Sequence, residues 1–394
     1  MDCLMKRLDE LFEEMVILRR HFHMWPELSH EEKETPAYIA NYLRALNIEV
    51  REGVGGRGVV GKLIGTIDGP TIALRADFDA LAIQELNEVT YKSKVNGVMH
   101  ACGHDGHTAA LLVLAKVLSE QRKNLKGTVV FIFQHAEELA PGGAIAMIED
   151  GCLDGVDVIY GAHLWSPTPL GQILTCSGAI MAAADRFEII IEGKGGHGAQ
   201  PHDAIDPIVA ASQFVVQLQS IVSRAVDPLK SAVVSVGHME ASNPFNVIAQ
   251  RVELKGTVRT FDEQIRTLIE QRIEQMLQGG SIATGTTYTY RYVRGYPAVV
   301  NDPKQAQFIL QIAEELMETT AAIETVPMMI GEDFAYYLQH VPGAFFLVGA
   351  MPISGVHYPH HHPRFNFEEK AMLHSAKVML QAVLHYSNQT NTFL

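Results

Sequence analysis

Thr128-Val129-Val130-Phe131-Ile132-Phe133 runs directly into Gln134-His135-Ala136-Glu137-Glu138, and that junction decides the fold. A short run of β-branched and aromatic residues that ends abruptly in polar ones reads as a strand buried on both faces, with functional groups at its carboxyl end. The same texture precedes it at residues 71–74, followed by Arg75-Ala76-Asp77-Phe78-Asp79, and follows it at residues 156–160, followed by Gly161-Ala162-His163. Between these strands lie stretches of helical periodicity, residues 108–121 and 143–150. Strands alternating with helices predict an α/β sheet covered on both faces. Ligands bind such sheets beyond the carboxyl ends of the strands, so three strand ends offer carboxylates or an imidazole to one rim.

Outward from that core, the texture changes near Gly178. Residues 185–192 alternate as a strand, 193–202 are Gly-rich, and 207–222 are helical; strands at 232–237 and 251–259, a helix at 262–277 and a strand at 286–293 follow. The order β-α-β-β-α-β is that of a ferredoxin-like unit. Alternation then resumes with a helix at 305–319, a strand at 344–349 and a last helix at 368–388. The expected organisation is a discontinuous domain of residues 1–178 and 296–394 carrying the rim, with an inserted α+β domain at 179–295. At the start, Leu8, Leu11, Phe12, Met15, Val16 and Leu18 recur at helical spacing, predicting one amphipathic helix over residues 1–20.

Composition excludes several classes of partner. The 394 residues are 47% hydrophobic and carry a formal net charge of -14, which argues against nucleic acid or an anionic membrane surface as the main partner. The beginning lacks the apolar core and cleavage site of a signal peptide, and no apolar run is long enough to span a bilayer. Cys3, Cys102, Cys152 and Cys176 are too few and too scattered for a secreted disulfide scaffold. A reducing cytoplasm is the expected location.

Three clusters carry chemistry. His100-Ala101-Cys102-Gly103-His104-Asp105-Gly106-His107 packs a thiol and three imidazoles into one short stretch. On an extended backbone Cys102 and His104, two apart, would face one ion, and thiolate with imidazole favours zinc or a neighbouring transition metal over calcium or magnesium. The alternative is a buried thiol beside a hydrogen-bonded core histidine. Glu137 and Glu138 would diverge on an extended segment, one holding a metal and the other facing open space as a proton acceptor, a division that suits hydrolysis; the alternative is a solvated turn. Tyr358-Pro359-His360-His361-His362-Pro363-Arg364-Phe365 offers at least one more imidazole, unless it is a polar loop.

In chain order, R-A-D-F-D-A-L, H-A-C-G-H-D, A-E-E with G-G-A, G-A-H, G-K-G-G-H-G-A-Q-P-H, N-V-I, G-E-D-F and H-H-P-R-F resemble the aminoacylase and carboxypeptidase superfamily of di-metal amidohydrolases. Within it they are most similar to the branch of hippurate hydrolase, N-acetyl-diaminopimelate deacetylase and the auxin-conjugate hydrolases. The resemblance implies a di-zinc-peptidase-like mixed sheet flanked by helices, with a ferredoxin-like lid that also mediates a homodimer or higher oligomer. It implies two divalent ions (zinc, manganese, nickel or cobalt), a bridging Cys102, and His104, Glu138, His163 and His361 as the other ligands. His361 is chosen because the family's histidine stands two residues before proline, with His360 and His362 as the alternatives. Glu137 would be the general base, His197 the lid donor to the developing oxyanion, within its own chain or across a dimer, and Asn246 and Arg259 the residues that hold the substrate. The implied reaction is hydrolysis of N-acyl (acetyl or aroyl) L-amino acids to a carboxylic acid and a free amino acid.

Two positions depart from the wider pattern. Distant relatives carry His-x-Asp at the first strand end, where this chain has Arg75-Ala76-Asp77; Cys102 and His104 would replace the missing ligand, leaving Asp77 to orient an imidazole. His135 stands where proline is expected and is read as a turn variant. Two other activities fit parts of the pattern: a dipeptidase or aminopeptidase of the same superfamily, and a silent protein that binds small amides.

Overall fold

Strand order explains why the rim residues meet. A computed structural model describes residues 2–316, 322–353 and 356–389. The chain divides into two compact units, Met1–Ile180 with Val299–Val326 and Asp333–Leu394, and Met181–Ala298 with Pro327–Glu332.

The first unit contains an eight-stranded sheet in the order Glu49–Val54, Gly58–Ile64, Lys126–Gln134, Ile67–Asp77, Val158–Trp165, Gly343–Gly349, Ile173–Thr175, Ala322–Glu324. The pairings between Lys126–Gln134, Ile67–Asp77, Val158–Trp165 and Gly343–Gly349 are parallel, and the strands outside them introduce antiparallel pairings. The sheet is therefore mixed. After Ile67–Asp77 the chain first adds Lys126–Gln134 on one side and then Val158–Trp165 on the other, which opens a crevice at the carboxyl ends of the two flanked strands.

Alternation of side chains assigns each face its role. Ile72, Leu74, Phe131, Phe133, Tyr160 and Phe346 join the helices His104–Glu120 and Lys370–Gln389 in one buried cluster. On the opposite face Arg75 and Gln134 are buried under Asp333 and Tyr337, beside the short helix Ala335–Leu338. That polar layer is fully paired through Arg75, so the strand ends can be buried and charged together.

Several elements differ from the sequence reading. The N-terminal helix is two, Asp2–Glu10 and Phe12–Met24, because the apolar spacing registers a stripe and does not register the break at Leu11. The helix expected from residue 108 starts at His104, and the strand expected over 156–160 runs Val158–Trp165, so His163 lies inside it. The helix Glu34–Ala45 and the hairpin Glu49–Val54/Gly58–Ile64 have no counterpart in the sequence reading; the edge strand carries charges at exposed positions and lacks a buried-strand signature. The helix expected over 305–319 is Pro303–Leu316, and 317–319 lie outside the described residues.

The second unit is an antiparallel sheet in the order Ala232–Glu240, Arg251–Thr260, Ala183–Glu192, Thr287–Val293, the ferredoxin-like arrangement. Its helices begin at side-chain caps: the Asp206 carboxylate accepts from the Ile208 N–H at 2.8 Å, with Pro207 in the first turn, and Asp262 accepts from the Gln264 N–H at 2.8 Å. Gly285, at φ 74°, ends the second helix. Phe187, Ile189, Ile191, Phe214, Leu254, Ile269 and Ile273 form the core between sheet and helices. The segment Pro327–Glu332 joins this unit through Ala182, whose N–H lies 3.0 Å from the Met328 carbonyl and 2.9 Å from that of Ile330.

One buried ion pair holds the second unit. Arg266 donates to both Asp185 oxygens at 2.8 and 2.6 Å, and Asp185 also accepts from the Tyr292 hydroxyl at 2.8 Å and the Gly295 N–H at 2.9 Å. Asp185→Asn leaves the guanidinium without this anion and is expected to destabilise the second unit by about 3–5 kcal/mol. Hydrogen exchange of the strand Ala183–Glu192 in wild type and variant checks this.

Candidate metal centre

The rim is built from five chain segments of the first unit. Gly103, at φ 103°, takes a left-handed conformation and turns Cys102 directly into the helix His104–Glu120. The expected extended Cys102-x-His104 clip is thus replaced by a turn followed by a helix N-terminus. Glycine meets the need for positive φ, and the turn lets thiol and imidazole approach the rim from different directions.

His104 and His163 each have one ring nitrogen committed elsewhere. His104 Nδ1 donates to Asp79, with the backbone oxygen at 3.0 Å and Oδ1 at 3.1 Å, so Nε2 faces the site. His163 Nδ1 donates to the Leu164 carbonyl at 2.9 Å, and its Nε2 lies 3.4 Å from Cys102 Sγ. His361 Nε2 lies 3.3 Å from Glu138 Oε2. Locking one ring nitrogen in this way fixes which lone pair is offered to a cation.

Around His104 Nε2 stand Glu138 Oε1 at 3.8 Å and Glu137 Oε2 at 4.0 Å. The two carboxylates therefore do not diverge as they would on an extended strand. Ala136, at φ 53°, bends the chain between the strand end and the pair, and both side chains come to one imidazole. Atoms of Cys102, Glu138 and His361 form one group within 4.8 Å of one another, those of His104, Glu137 and Glu138 another, and those of Cys102, His163 and His360 a third. All five expected ligands lie on this rim, with Glu137 beside them.

The donors suit cations. His104 Nε2 and Glu138 Oε1 are buried with no hydrogen-bond partner among the described residues, an arrangement costly for polar atoms unless something else meets them. Burial, reinforced by the charges of Glu138, Glu137 and Asp77, pushes the Cys102 thiol well up. Burial alone would lower His104, but Asp77, Asp79 and Glu138 together raise it to about 10. A proton on Nε2 thus occupies the place a metal would take, and nearby cations would favour the thiolate. Thiol, imidazole and carboxylate form a donor set suited to zinc and its transition-metal neighbours.

Asp77 meets the His107 imidazole and the Arg75 guanidinium. Its Oδ1 accepts from His107 Nδ1 at 2.6 Å, and its Oδ2 from Arg75 at 2.6 Å. His107 Nε2 in turn accepts the Leu164 N–H at 2.9 Å. Both nitrogens of His107 are thereby used, and it ties the first strand end to the backbone beside His163. Burial would raise Asp77, yet His104, Arg75 and His107 hold it well below the usual carboxylate range. Arg75 is the buried cation that pairs Asp77 and Asp333.

Sequence reasoning gave no role to Asp79 or Glu32 and named His360 only as an alternative to His361. Asp79 holds His104 and also accepts from the Ser29 hydroxyl at 2.7 Å and the Glu138 N–H at 3.0 Å; its spacing from Asp77 on the same strand end was an available signal. His360 stacks on Trp165 with ring centroids 4.6 Å apart, accepts the Ser166 N–H at 3.3 Å and points Nδ1 at Cys102 Sγ, 3.8 Å away. Glu32 accepts the Ala136 N–H at 2.9 Å, a role that its charged surroundings in the sequence conceal.

The expected lid residues all belong to the second unit. His197 is exposed on the two-residue strand Gly196–His197, paired with Val247–Ile248. Its Nδ1 accepts the Ala199 N–H at 3.1 Å, which leaves Nε2 as the donor nitrogen. Asn246 stands beside it, its carbonyl accepting the Gly198 N–H at 2.8 Å. Arg259 lies on the strand Arg251–Thr260, where it donates to the Val258 carbonyl at 3.1 Å and to the Thr257 hydroxyl.

A parallel-centred sheet whose carboxyl rim gathers thiol, imidazoles and adjacent carboxylates defines a metal-dependent hydrolase. The model of the peptidase family M20/M25/M40 matches residues 73–385. An N-acetyl-L-cysteine deacetylase of Bacillus subtilis is 42% identical over 375 residues, covering 95% of this chain and 88% of that protein. An N-acyl-L-amino acid amidohydrolase of Geobacillus stearothermophilus is 48% identical over 297 residues, covering 75% and 80%. Among solved structures, a dinuclear metal-binding peptidase of the M20 family from Bacillus subtilis superposes with a TM-score of 0.83 at 36% identity, covering 96% of this chain and 99% of that one. The chain belongs to the peptidase family M20/M25/M40.

Behind the centre, Asp105 does not cap the helix as a free surface acid would. It is buried and accepts from Arg19 Nε and His23 Nδ1, both at 2.8 Å, while His23 Nε2 lies 3.2 Å from Glu85. Burial would lower His23, but Asp105 and Glu85 hold it above its ordinary value of 6.5. A histidine raised on folding stabilises fully below its unfolded value and loses that contribution as pH rises through the folded one. Stability from this clamp is expected to be intact near pH 6 and to fall above about 6.5. Thermal unfolding across about pH 6 to 9 should show a smaller decline in His23→Gln than in wild type.

Proposed function

We propose that the protein hydrolyses the amide bond of N-acyl L-amino acids, such as acetyl or aroyl conjugates, releasing a carboxylic acid and a free amino acid. The observation that carries this reading is the convergence of Glu137, Glu138 and the unpartnered His104 Nε2 beside Cys102, His163 and His361. The names and extents of the two relatives above support the substrate class. In this reading Cys102, His104, Glu138, His163 and His361 would hold two divalent ions, drawn from zinc, manganese, nickel and cobalt. When bound, such ions polarise the scissile carbonyl and make a water acidic enough to attack.

The chain's own groups move the proton. Glu137 takes it from the attacking water and returns it to the departing amine, a role that calls for a carboxylate close to the ions. His197, whose outward Nε2 carries the proton, is assigned to the oxyanion that develops on the carbonyl, and Arg259 and Asn246 to the amino-acid part of the substrate, a guanidinium being suited to a carboxylate. Asp77 keeps His107, and through it the backbone at Leu164, in place. A homodimer or higher oligomer through the second unit is supported by the outer strand Ala232–Glu240 with exposed Met239 and by the exposed Phe245 and Val247. Four free cysteines support a reducing, cytoplasmic location, and no helix among the described residues is long and apolar enough to cross a membrane.

Glu137→Gln is expected to retain metal while turnover of an N-acetyl amino acid falls at least about 100-fold; near-normal turnover would remove Glu137 from the mechanism. Dialysis against a chelator is expected to abolish hydrolysis, and re-addition of a divalent cation to restore it. A panel of N-acetyl, N-benzoyl and free dipeptide substrates separates this reading from a dipeptidase: preference for the dipeptides would overturn the substrate assignment.

A further inference from the structure

The segment Glu27–Glu32 is not part of the rim, yet it touches two of the strand ends that form it. The Glu27 carbonyl accepts the Ala80 N–H at 2.8 Å, and the Ser29 hydroxyl donates to Asp79 Oδ2 at 2.7 Å, so the segment is fastened just beyond Ile67–Asp77. Its far end is fastened beyond Lys126–Gln134, where Glu32 Oε1 accepts the Ala136 N–H at 2.9 Å, with both partners buried. The strap is itself anchored, because the Glu27 carboxylate accepts the N–H groups of Lys33, Glu34 and Thr35 at 2.8–3.0 Å and so caps the following helix.

Ala136 is an unusual target for such a contact. Its φ of 53° lies in the region that residues with a Cβ rarely adopt, and the next two residues are Glu137 and Glu138. A strained backbone of this kind persists only where the surroundings impose it. Glu32 is wholly buried, and its second oxygen, Oε2, has no hydrogen-bond partner among the described residues; Arg57 Nε is 3.9 Å away. A wholly buried carboxylate whose nearest cation stands 3.9 Å away is a costly residue for ordinary packing.

We propose that Glu32 is a positioning residue for the reaction: by accepting the Ala136 N–H it holds the left-handed turn that aims Glu137 and Glu138 at His104. This rests on the assignment of Glu137 as the base and Glu138 as a metal ligand. Glu32 acts through the backbone and touches neither substrate nor metal. The acceptor atom matters and the charge does not, so glutamine should serve and alanine should not. Glycine at position 136 adopts positive φ unaided and should lessen the need for the clamp.

The test compares Glu32→Gln, Glu32→Ala, Ala136→Gly and the double variant Glu32→Ala/Ala136→Gly, each as full-length metal-loaded protein. Steady-state hydrolysis of an N-acetyl amino acid is measured together with metal retained against a competing chelator. Glu32→Ala is expected to lower kcat and metal retention by about 10- to 100-fold with KM little changed. Glu32→Gln should stay within about threefold of wild type on the same scale, and the double variant should recover at least part of the kcat lost in Glu32→Ala. Wild-type kcat and metal retention in Glu32→Ala would overturn the proposal. So would an equal loss in Glu32→Gln, or a double variant no better than Glu32→Ala. If Glu32→Ala fails to fold, the glutamine and double variants still decide. Glu137→Gln, assayed in parallel, separates the two levels: full activity there removes the underlying reading, whereas an inactive Glu137→Gln beside a wild-type Glu32→Ala removes only the role of Glu32.

Discussion

Every imidazole that faces the proposed ions must present a bare nitrogen, and for His104 and His163 the first unit meets that constraint by committing the other ring nitrogen to a fixed acceptor. Asp79 takes the proton of His104, and the Leu164 carbonyl takes that of His163. His107 shows the converse: engaged at both nitrogens by Asp77 and the Leu164 N–H, it is removed from the donor set and becomes a brace. The sheet supplies the acceptors because its parallel strands all end at the same edge. Without that common edge, a carboxylate from one strand could not fix an imidazole from the next helix.

The same edge concentrates charge that water would otherwise solvate, and the fold answers with buried cations. Arg75 lies under the rim between Asp77, Gln134 and Asp333, and Arg19 lies behind it against Asp105. These arginines are wholly buried. Pairing of this quality contributes little net stability relative to an apolar core, but removing one partner is costly. The network is thus better understood as fixing the carboxylates that the site uses than as a source of stability.

Much of this was legible in the sequence. Runs such as residues 128–133 announced buried strands, and the polar residues after them announced a rim. The ferredoxin-like order could be read because Asp206-Pro207 and Asp262 mark helix starts and because the strands alternate cleanly. What escaped reading depended on tertiary contacts. Glu32 sits in the run Glu31-Glu32-Lys33-Glu34, which looks solvated, and only the approach of Ala136 from far along the chain buries it. The left-handed turns at Gly103 and Ala136 reversed local expectations for both neighbouring clusters, since periodicity assumes regular backbone on either side. The hairpin Glu49–Val54/Gly58–Ile64 escaped because one of its strands lies at the sheet edge and carries charge.

The strand Gly343–Gly349 lies between Val158–Trp165 and Ile173–Thr175 within the sheet, although the whole second unit separates it from them in the chain. During synthesis, residues through His163 emerge long before the strand that must pair beside them. The nascent sheet waits with an apolar, unpaired edge while the inserted unit, whose elements are mostly consecutive, can close first. Formation of the first unit is therefore tied to late, long-range pairing, which is slow and exposes aggregation-prone surface. The discontinuity therefore makes completion of the first unit's sheet depend on a strand near the far end of the chain.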